Sequence, residues 1–282
     1  MNTVDWLCKS FTQHSGDQIK PLISILTPTG DRPLGVSLLG HWINHQTIFE
    51  VLPDVWVEWI IVYDDEEERY SKLCGIQHDK LIASSTRLTY RKEYVGPKSM
   101  ARNLLEACKQ ARGDYIFICE DDDYYAPDHL LHCLYKMNGV CKSYDAVGTI
   151  WQKYYNIYKQ CFKTYKNIGS AMCATAFKRE LLPTMEMALK WGFDKAHKGM
   201  DRKFWDTITI EQHRAVDIFD GHDVVGIKGL PGREGIGVGH YAPGFEYDDG
   251  FATLVDWVGE KAADIYIQIN KGTHNYEELK WT

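Results

Sequence analysis

The sequence predicts an α/β fold with a mostly parallel sheet, and three observations predict it. Short apolar runs at residues 22–26 (LISIL), 57–63 (VEWIIVY) and 115–119 (YIFIC) read as buried strands. Helical patterns lie between them, so strand and helix alternate through the first half of the chain. Each run ends in a polar cluster: TPTGDRP at 27–33, Asp64-Asp65, and the acidic row Glu120-Asp121-Asp122-Asp123. In a parallel sheet such clusters gather at the carboxyl ends of the strands, where the ligand crevice lies.

The first run leads into a helix over residues 35–46, with Leu38, Leu39, Trp42 and Ile43 on one face. Residues 80–90 suggest a third strand. Pro97 suits the first turn of a helix in which Met100, Leu104, Leu105, Cys108 and Ala111 recur at helical spacing, and Gly113 is a good stop. The strand at 115–119 follows, with the acids at its end. Pro127 opens a further helix carrying Leu130, Leu131, Leu134 and Met137.

The second half is less regular. Residues 146–165, rich in Tyr, read as antiparallel strands. Residues 177–191 read as a helix despite Pro183, and 204–210 as another. A strand is expected at 224–227, then the Gly-rich stretch LPGREGIGVGHYAPGF, then a last helix over 251–267. No linker divides the chain, so one domain over residues 1–282 is expected. About 20–135 form its first half, and about 140–282 form its second.

Composition narrows the function classes. The 282 residues are 44% hydrophobic, which excludes a disordered chain. The formal charge of −7 provides no global basic field for nucleic acid or anionic membrane. Eight cysteines occur without a CxxC pair, which reads as reduced, buried thiols rather than a zinc ribbon. No signal peptide and no apolar run long enough to span a membrane are apparent, so a cytoplasmic location is expected.

Four adjacent acids after a buried strand are unfavourable unless a cation sits among them. Carboxylate oxygens are hard donors that select Mg2+ or Mn2+, usually completed by water and substrate phosphate. The competing reading is a solvated acidic turn. Placement at the strand end favours a metal carrying a diphosphate.

The order of these signals resembles that of the family 2 glycosyltransferases, which have the GT-A fold. The first strand leads to Leu26-Thr27-Pro28-Thr29, and the second ends in IIVYDD. A helix carries Met100-Ala101-Arg102-Asn103, and the acidic motif Glu120 to Asp123 is followed by Pro127-Asp128-His129-Leu130. More weakly, Gly199-Met200-Asp201-Arg202-Lys203-Phe204-Trp205 resembles a late motif of the family. Two departures stand out: Glu120 where the family usually has Asp, and Met200 where it usually has Glu. Small bacterial or phage-encoded members are the most similar in style.

The resemblance implies a Rossmann-like nucleotide-binding sheet with an antiparallel acceptor-side portion, and a nucleoside-diphosphate sugar donor, most often a UDP-sugar. Asp64 or Asp65 then meets the uracil or ribose, and Thr27 and Thr29 line the base and ribose. Arg102 is a candidate for the uracil or the diphosphate, and Lys98, Arg233 and Lys228 are candidates for the diphosphate. Asp122 is the preferred metal ligand, with Glu120 beside it, and Asp121 or Asp123 can exchange roles with it. His240 is a candidate to complete the metal shell, with His222 as the fallback. Turn chemistry and ordinary surface charge compete with each of these roles.

The resemblance also implies Asp201 as the base that takes the acceptor proton, in a single displacement that inverts the anomeric carbon. Helix capping is the competing role for Asp201, and Asp206 and Asp194 are weaker candidates. His41 and His45 stand four apart, a zinc-compatible spacing that reads here as a helix face. The Gly-rich stretch suggests a lid over the donor. The acceptor is a glycan hydroxyl or, alternatively, a hydroxymethylated pyrimidine in DNA, for which Lys153, Lys159, Lys163 and Lys166 among the tyrosines would suit a phosphate-tracking groove. Two other classes compete: a nucleotidyltransferase, and a non-catalytic nucleotide- or glycan-binding module.

Overall fold

The structure is a computed structural model, and the residues described are 22–30, 32–64, 78–88, 99–139, 142–166, 169–194, 199–232 and 243–272. The continuous apolar runs become the centre of the main sheet. β1 (Ile23–Thr29) and β2 (Val57–Tyr63) are buried at every position, because helices cover both faces and no alternation is needed. β1 lies between β2 and β4 (Tyr115–Ile118), parallel to both. β3 (Leu81–Arg87) adds a parallel edge strand beyond β2, and its half-exposed residues fit an edge.

On the other side of β4 the sheet turns mixed. β9 (Ala176–Lys178) runs antiparallel to β4 and to β6 (Ala146–Thr149), and β10 (Val216–Phe219) is parallel to β6. The order is β10-β6-β9-β4-β1-β2-β3. A smaller sheet, in the order β12-β8-β7-β11-β5, contains β5 (Asp123–Tyr125), β7 (Trp151–Asn156), β8 (Cys161–Lys166), β11 (Val224–Lys228) and β12 (Glu246–Tyr247).

The helices are α1 (Pro33–Asn44), α2 (Ile48–Val51), α3 (Met100–Gln110), α4 (His129–Met137), α5 (Leu182–Asp194), α6 (Met200–Asp206), α7 (Ala252–Val258) and α8 (Glu260–Asn270). Two apolar clusters sandwich the main sheet. One includes Trp42 of α1, Leu134 of α4 and Tyr266 of α8. The other includes Leu104 of α3, Leu189 of α5 and Phe204 of α6. Among the described residues, no helix is long and apolar enough to cross a membrane.

Several expectations need correction. Residues 177–191 do not form one helix: Phe177 belongs to β9, and α5 begins only at Leu182, where Pro183 sits in the first turn and needs no N–H partner. The expected last helix is two, because Gly259 at φ 80° breaks it between α7 and α8. Residues 146–165 divide between the sheets, with β6 in the large one and β7 and β8 forming an antiparallel hairpin in the small one. Asp123 is part of a strand rather than a loop, since β5 pairs antiparallel with β11 and sets Asp123 opposite Gly226.

Candidate active site at the junction of the two sheets

The acidic row is the bridge between the sheets. Cys119 N–H donates to Leu26 O at 3.0 Å, which carries β4 alongside β1 to its end. Glu120 N–H then donates to Tyr125 Oη at 2.8 Å, and Asp121 and Asp122 form a turn into β5. Ile227 N–H donates to Asp122 O at 2.7 Å and ties that turn to β11. Asp121, Asp122 and Asp123 are all buried.

Two cations sit among these acids, one buried and one half-buried. Arg32, from the loop after β1, places Nη2 2.8 Å from Asp121 Oδ1 and Nη1 2.9 Å from Asp122 Oδ2. Lys228, at the end of β11, places Nζ 2.8 Å from Asp122 Oδ2 and 3.2 Å from Asp123 Oδ1. Thr29 donates its hydroxyl to Asp121 Oδ2. Asn103 of α3 donates to Thr29 O at 2.8 Å and so fixes the end of β1.

Counted as ions, four carboxylates face two cations, which leaves a formal charge of −2 in a buried site. Burial dominates the titration behaviour, and the crowding of like charges adds to it. Burial, reinforced by Asp123 and Asp122, pushes the Glu120 carboxyl well above the ordinary range. Burial raises Asp121 to about 6 against the pull of Arg32, and raises Asp123 against the pull of Lys228. Burial opposes charge on Arg32 and Lys228, but the neighbouring carboxylates outweigh it and hold both cations protonated.

These residues fit a divalent cation. The donors are hard oxygens, and the uncompensated charge matches one divalent ion. Asp123 Oδ2 is buried and makes no hydrogen bond. Glu120, Asp123 and Cys173 each offer one atom to a group whose atoms all lie within 4.8 Å of one another, and no other such group occurs among the described residues. Cys173 lies in the short helical turn Met172–Ala174, and nothing in the sequence marks it. Glu120 comes together with Asp123, one of the acids anticipated to exchange roles with Asp122, while Asp122 is held between Arg32 and Lys228.

The other anticipated residues are placed as follows. Asp64 is buried directly after β2. Thr27 is inside the core rather than on the loop surface, where its Oγ1 accepts from Trp59 Nε1 at 2.9 Å. Arg102 is half-buried on α3. Asp65, Lys98, Arg233 and His240 lie outside the described residues. His41 and the residue after α1, His45, hold their ring centroids 4.2 Å apart at a tilt of 43°, and burial with His45 lowers His41 to about 4.

Asp201 stands in the first turn of α6, after Gly199 in the left-handed region (φ 71°). Its Oδ1 accepts from Arg202 N–H at 2.8 Å. Partial burial raises its carboxyl above the ordinary range. The unusual Met200 beside it packs in the core, where Gly192 leaves room for its side chain. Asp206 pairs instead with Arg202 at 3.4 Å.

A tyrosine wall joins Asp201 to the acids. Tyr165 lies within the field of Asp201 and stacks on Tyr154, with ring centroids 5.8 Å apart. Lys228 Nζ is 5.4 Å from the Tyr154 ring. Gly226 permits this approach, since a Cβ there would lie 2.5 Å from the ring. The four lysines do not share one face. Pairing of Trp151 with Lys166 and of Tyr154 with Lys163 puts Lys166 and Lys153 on the side of Trp151 and Trp257, and Lys163 on the opposite side.

Residues 60–185 match the family model described as glycosyl transferase family 2. No match was found among curated proteins. Among solved structures, the chain is similar to a mannosyltransferase, PcManGT from Pyrobaculum calidifontis, in complex with GDP-Man and Mn2+. The identity is 16%, with 80% of this chain and 63% of that chain covered and a TM-score of 0.51. It is also similar to S. aureus TarS in complex with UDP-GlcNAc, at 17% identity, with 92% and 76% covered and a TM-score of 0.50. The chain thus spans less than two thirds of the mannosyltransferase, and likeness at this identity speaks for the fold. With strand-end acids at the sheet junction, residues 60–185 match glycosyl transferase family 2, and the chain has the GT-A fold.

Proposed function

We propose that this chain moves a sugar from a nucleoside-diphosphate sugar, in the first instance a UDP-sugar, to an acceptor hydroxyl, and that it does so with a divalent cation at the acidic row. The observation that carries this reading is the buried charge imbalance: four carboxylates against Arg32 and Lys228, at the carboxyl ends of β1 and β4. When bound, Mn2+ or Mg2+ would stabilise the departing diphosphate as a Lewis acid.

Each residue of the chain has a distinct task in this reading. Glu120 and Asp123 hold the cation, with Asp122, kept in place by Arg32 and Lys228, beside them. Arg32 and Lys228 present positive charge to the phosphates. Asp64, with Asp65 after it, meets the nucleoside, while Thr29 and Asn103 keep the end of β1 rigid. Arg102, Lys98 and Arg233 are further diphosphate contacts, and His240 a further metal ligand. Asp201 takes the acceptor proton, and its raised pKa makes it a better base than an exposed aspartate. A single displacement would invert the anomeric carbon.

A sugar hydroxyl is the favoured acceptor. The lysines that would track a nucleic-acid backbone are divided between two faces of the β7–β8 hairpin. The test is a donor panel of UDP-, GDP-, dTDP- and CMP-sugars with Mn2+, read by nucleotide release and thermal shift. Stabilisation and slow hydrolysis of one donor support the reading, and indifference to all of them refutes it.

A further inference from the structure

The cation pocket is not made of oxygen alone. Cys173 Sγ belongs to the same compact group as the carboxylate oxygens of Glu120 and Asp123. The thiol is delivered by a short helical turn that is itself anchored, since Tyr125 Oη donates to Cys173 O at 3.1 Å while also accepting from Glu120 N–H at 2.8 Å. One tyrosine therefore ties the thiol-bearing turn to the first acid of the row. The second observation is Asp123, whose Oδ1 is taken by Lys228 while its Oδ2 is buried without an N–H or O–H partner, and whose remaining polar neighbour is the Cys173 thiol itself.

We propose that Cys173 is a ligand of the cation, completing a mixed pocket of Glu120, Asp123 and a thiolate. The inference rests on the reading that a divalent ion binds at the acidic row, and adds a ligand and a selectivity to it. On binding, the S–H bond breaks, a sulfur–metal bond forms, and the proton passes to solvent. Thiolate is a soft donor that favours Zn2+, Cd2+ and Co2+ over Mg2+, whereas an all-oxygen pocket has no such bias. The pocket should therefore take a thiophilic ion more tightly than Mg2+.

The experiment is a titration of the full chain with Cd2+, Co2+, Mn2+ and Mg2+, read by calorimetry and by sulfur-to-metal charge-transfer absorption. The expected result is a charge-transfer band with Cd2+ or Co2+ that saturates at one ion per chain. Cys173→Ser should remove the band and weaken Cd2+ binding by about tenfold or more, with Mg2+ binding nearly unchanged. Cys108→Ser, far from the pocket, should keep the band. If Cys173→Ser fails to fold, protection of Cys173 from alkylation by Cd2+ but not Mg2+ in the unaltered chain supplies the same answer. Binding of Mn2+ and Cd2+ without a band, or a band that survives Cys173→Ser, overturns the thiolate ligand and leaves the acidic site standing. Failure of every divalent ion to bind overturns both.

Discussion

Lys228 Nζ lies 2.8 Å from Asp122 Oδ2, and both side chains are about 5% exposed. A lysine buried to that degree is rare without a partner, and here the partner is one acid of a row that carries more negative charge than the chain neutralises. Together with Arg32, which meets the same oxygen at 2.9 Å, Lys228 holds Asp122 in place under the sheet junction. That also makes Lys228 part of the fold as well as of the proposed site.

Lys228→Met should therefore destabilise the chain by about 3 kcal/mol, because it leaves buried Asp123 without its paired cation and Asp122 with Arg32 alone. Mn2+ should restore more stability to this variant than it adds to the unaltered chain, since the ion supplies the missing charge. Urea unfolding with and without Mn2+ measures both effects. Equal stabilisation of the two proteins by Mn2+ would separate Lys228 from the cation pocket.

Asp201→Asn should lower the turnover of acceptor glycosylation by about 100-fold or more, the range expected for loss of a general base. Donor binding should be little affected, because Asp201 is linked to the acids through Tyr165 and Tyr154 rather than being one of their partners. Unchanged turnover would reduce Asp201 to a residue of the first turn of α6.

Gly226→Ala should cost about 1–3 kcal/mol, the range for an overpacked site, because the new methyl would meet the Tyr154 ring. Tyr154 must then move off β11, which loosens its stack on Tyr165. A thermal melt with tyrosine fluorescence reads the outcome, and wild-type stability would show that the wall is free to shift.

Stability should fall in acid partly through His129. Burial lowers its imidazole to about 4 from an ordinary 6.5, and the nearby Asp223 does not offset this. Protonation therefore favours the unfolded chain. The contribution of neutral His129 is fully present above pH 6.5 and is lost as pH falls towards 4, to a total of roughly 3 kcal/mol. His132 has the opposite sign: its hydrogen bond to Asp223, 2.8 Å long, raises it, so its contribution is present below 6.5 and fades as pH rises. Comparison of urea midpoints between pH 4 and 7 for the unaltered chain and His129→Phe isolates the first effect, and parallel profiles would rule it out.

The legible and illegible parts of this molecule differ in physical kind. β1, β2 and β4 stand out in the sequence because burial on both faces forces unbroken apolar runs, and α3 because Leu104 and Cys108 recur at helical spacing. β10 and β9 leave little trace. VDIF is a half-buried edge strand, and three-residue β9 owes its extended form to its place between β4 and β6 rather than to its own residues. The acidic row was legible as a strand-end site because four like charges after an apolar run need a reason. Its inner arrangement was not. That Asp122 meets Arg32 and Lys228 while Asp123 meets Cys173 depends on β5 pairing with β11, a contact between segments far apart in sequence.

The account turns on the acids holding a divalent ion, and calorimetric titration with Mn2+, with and without UDP, tests that most directly. The unaltered chain should bind one Mn2+ and bind UDP more tightly in its presence, and the double variant Glu120→Gln with Asp123→Asn should lose both effects while remaining folded. Mn2+ binding that persists in the folded double variant, or UDP binding that ignores Mn2+ in the unaltered chain, would contradict it.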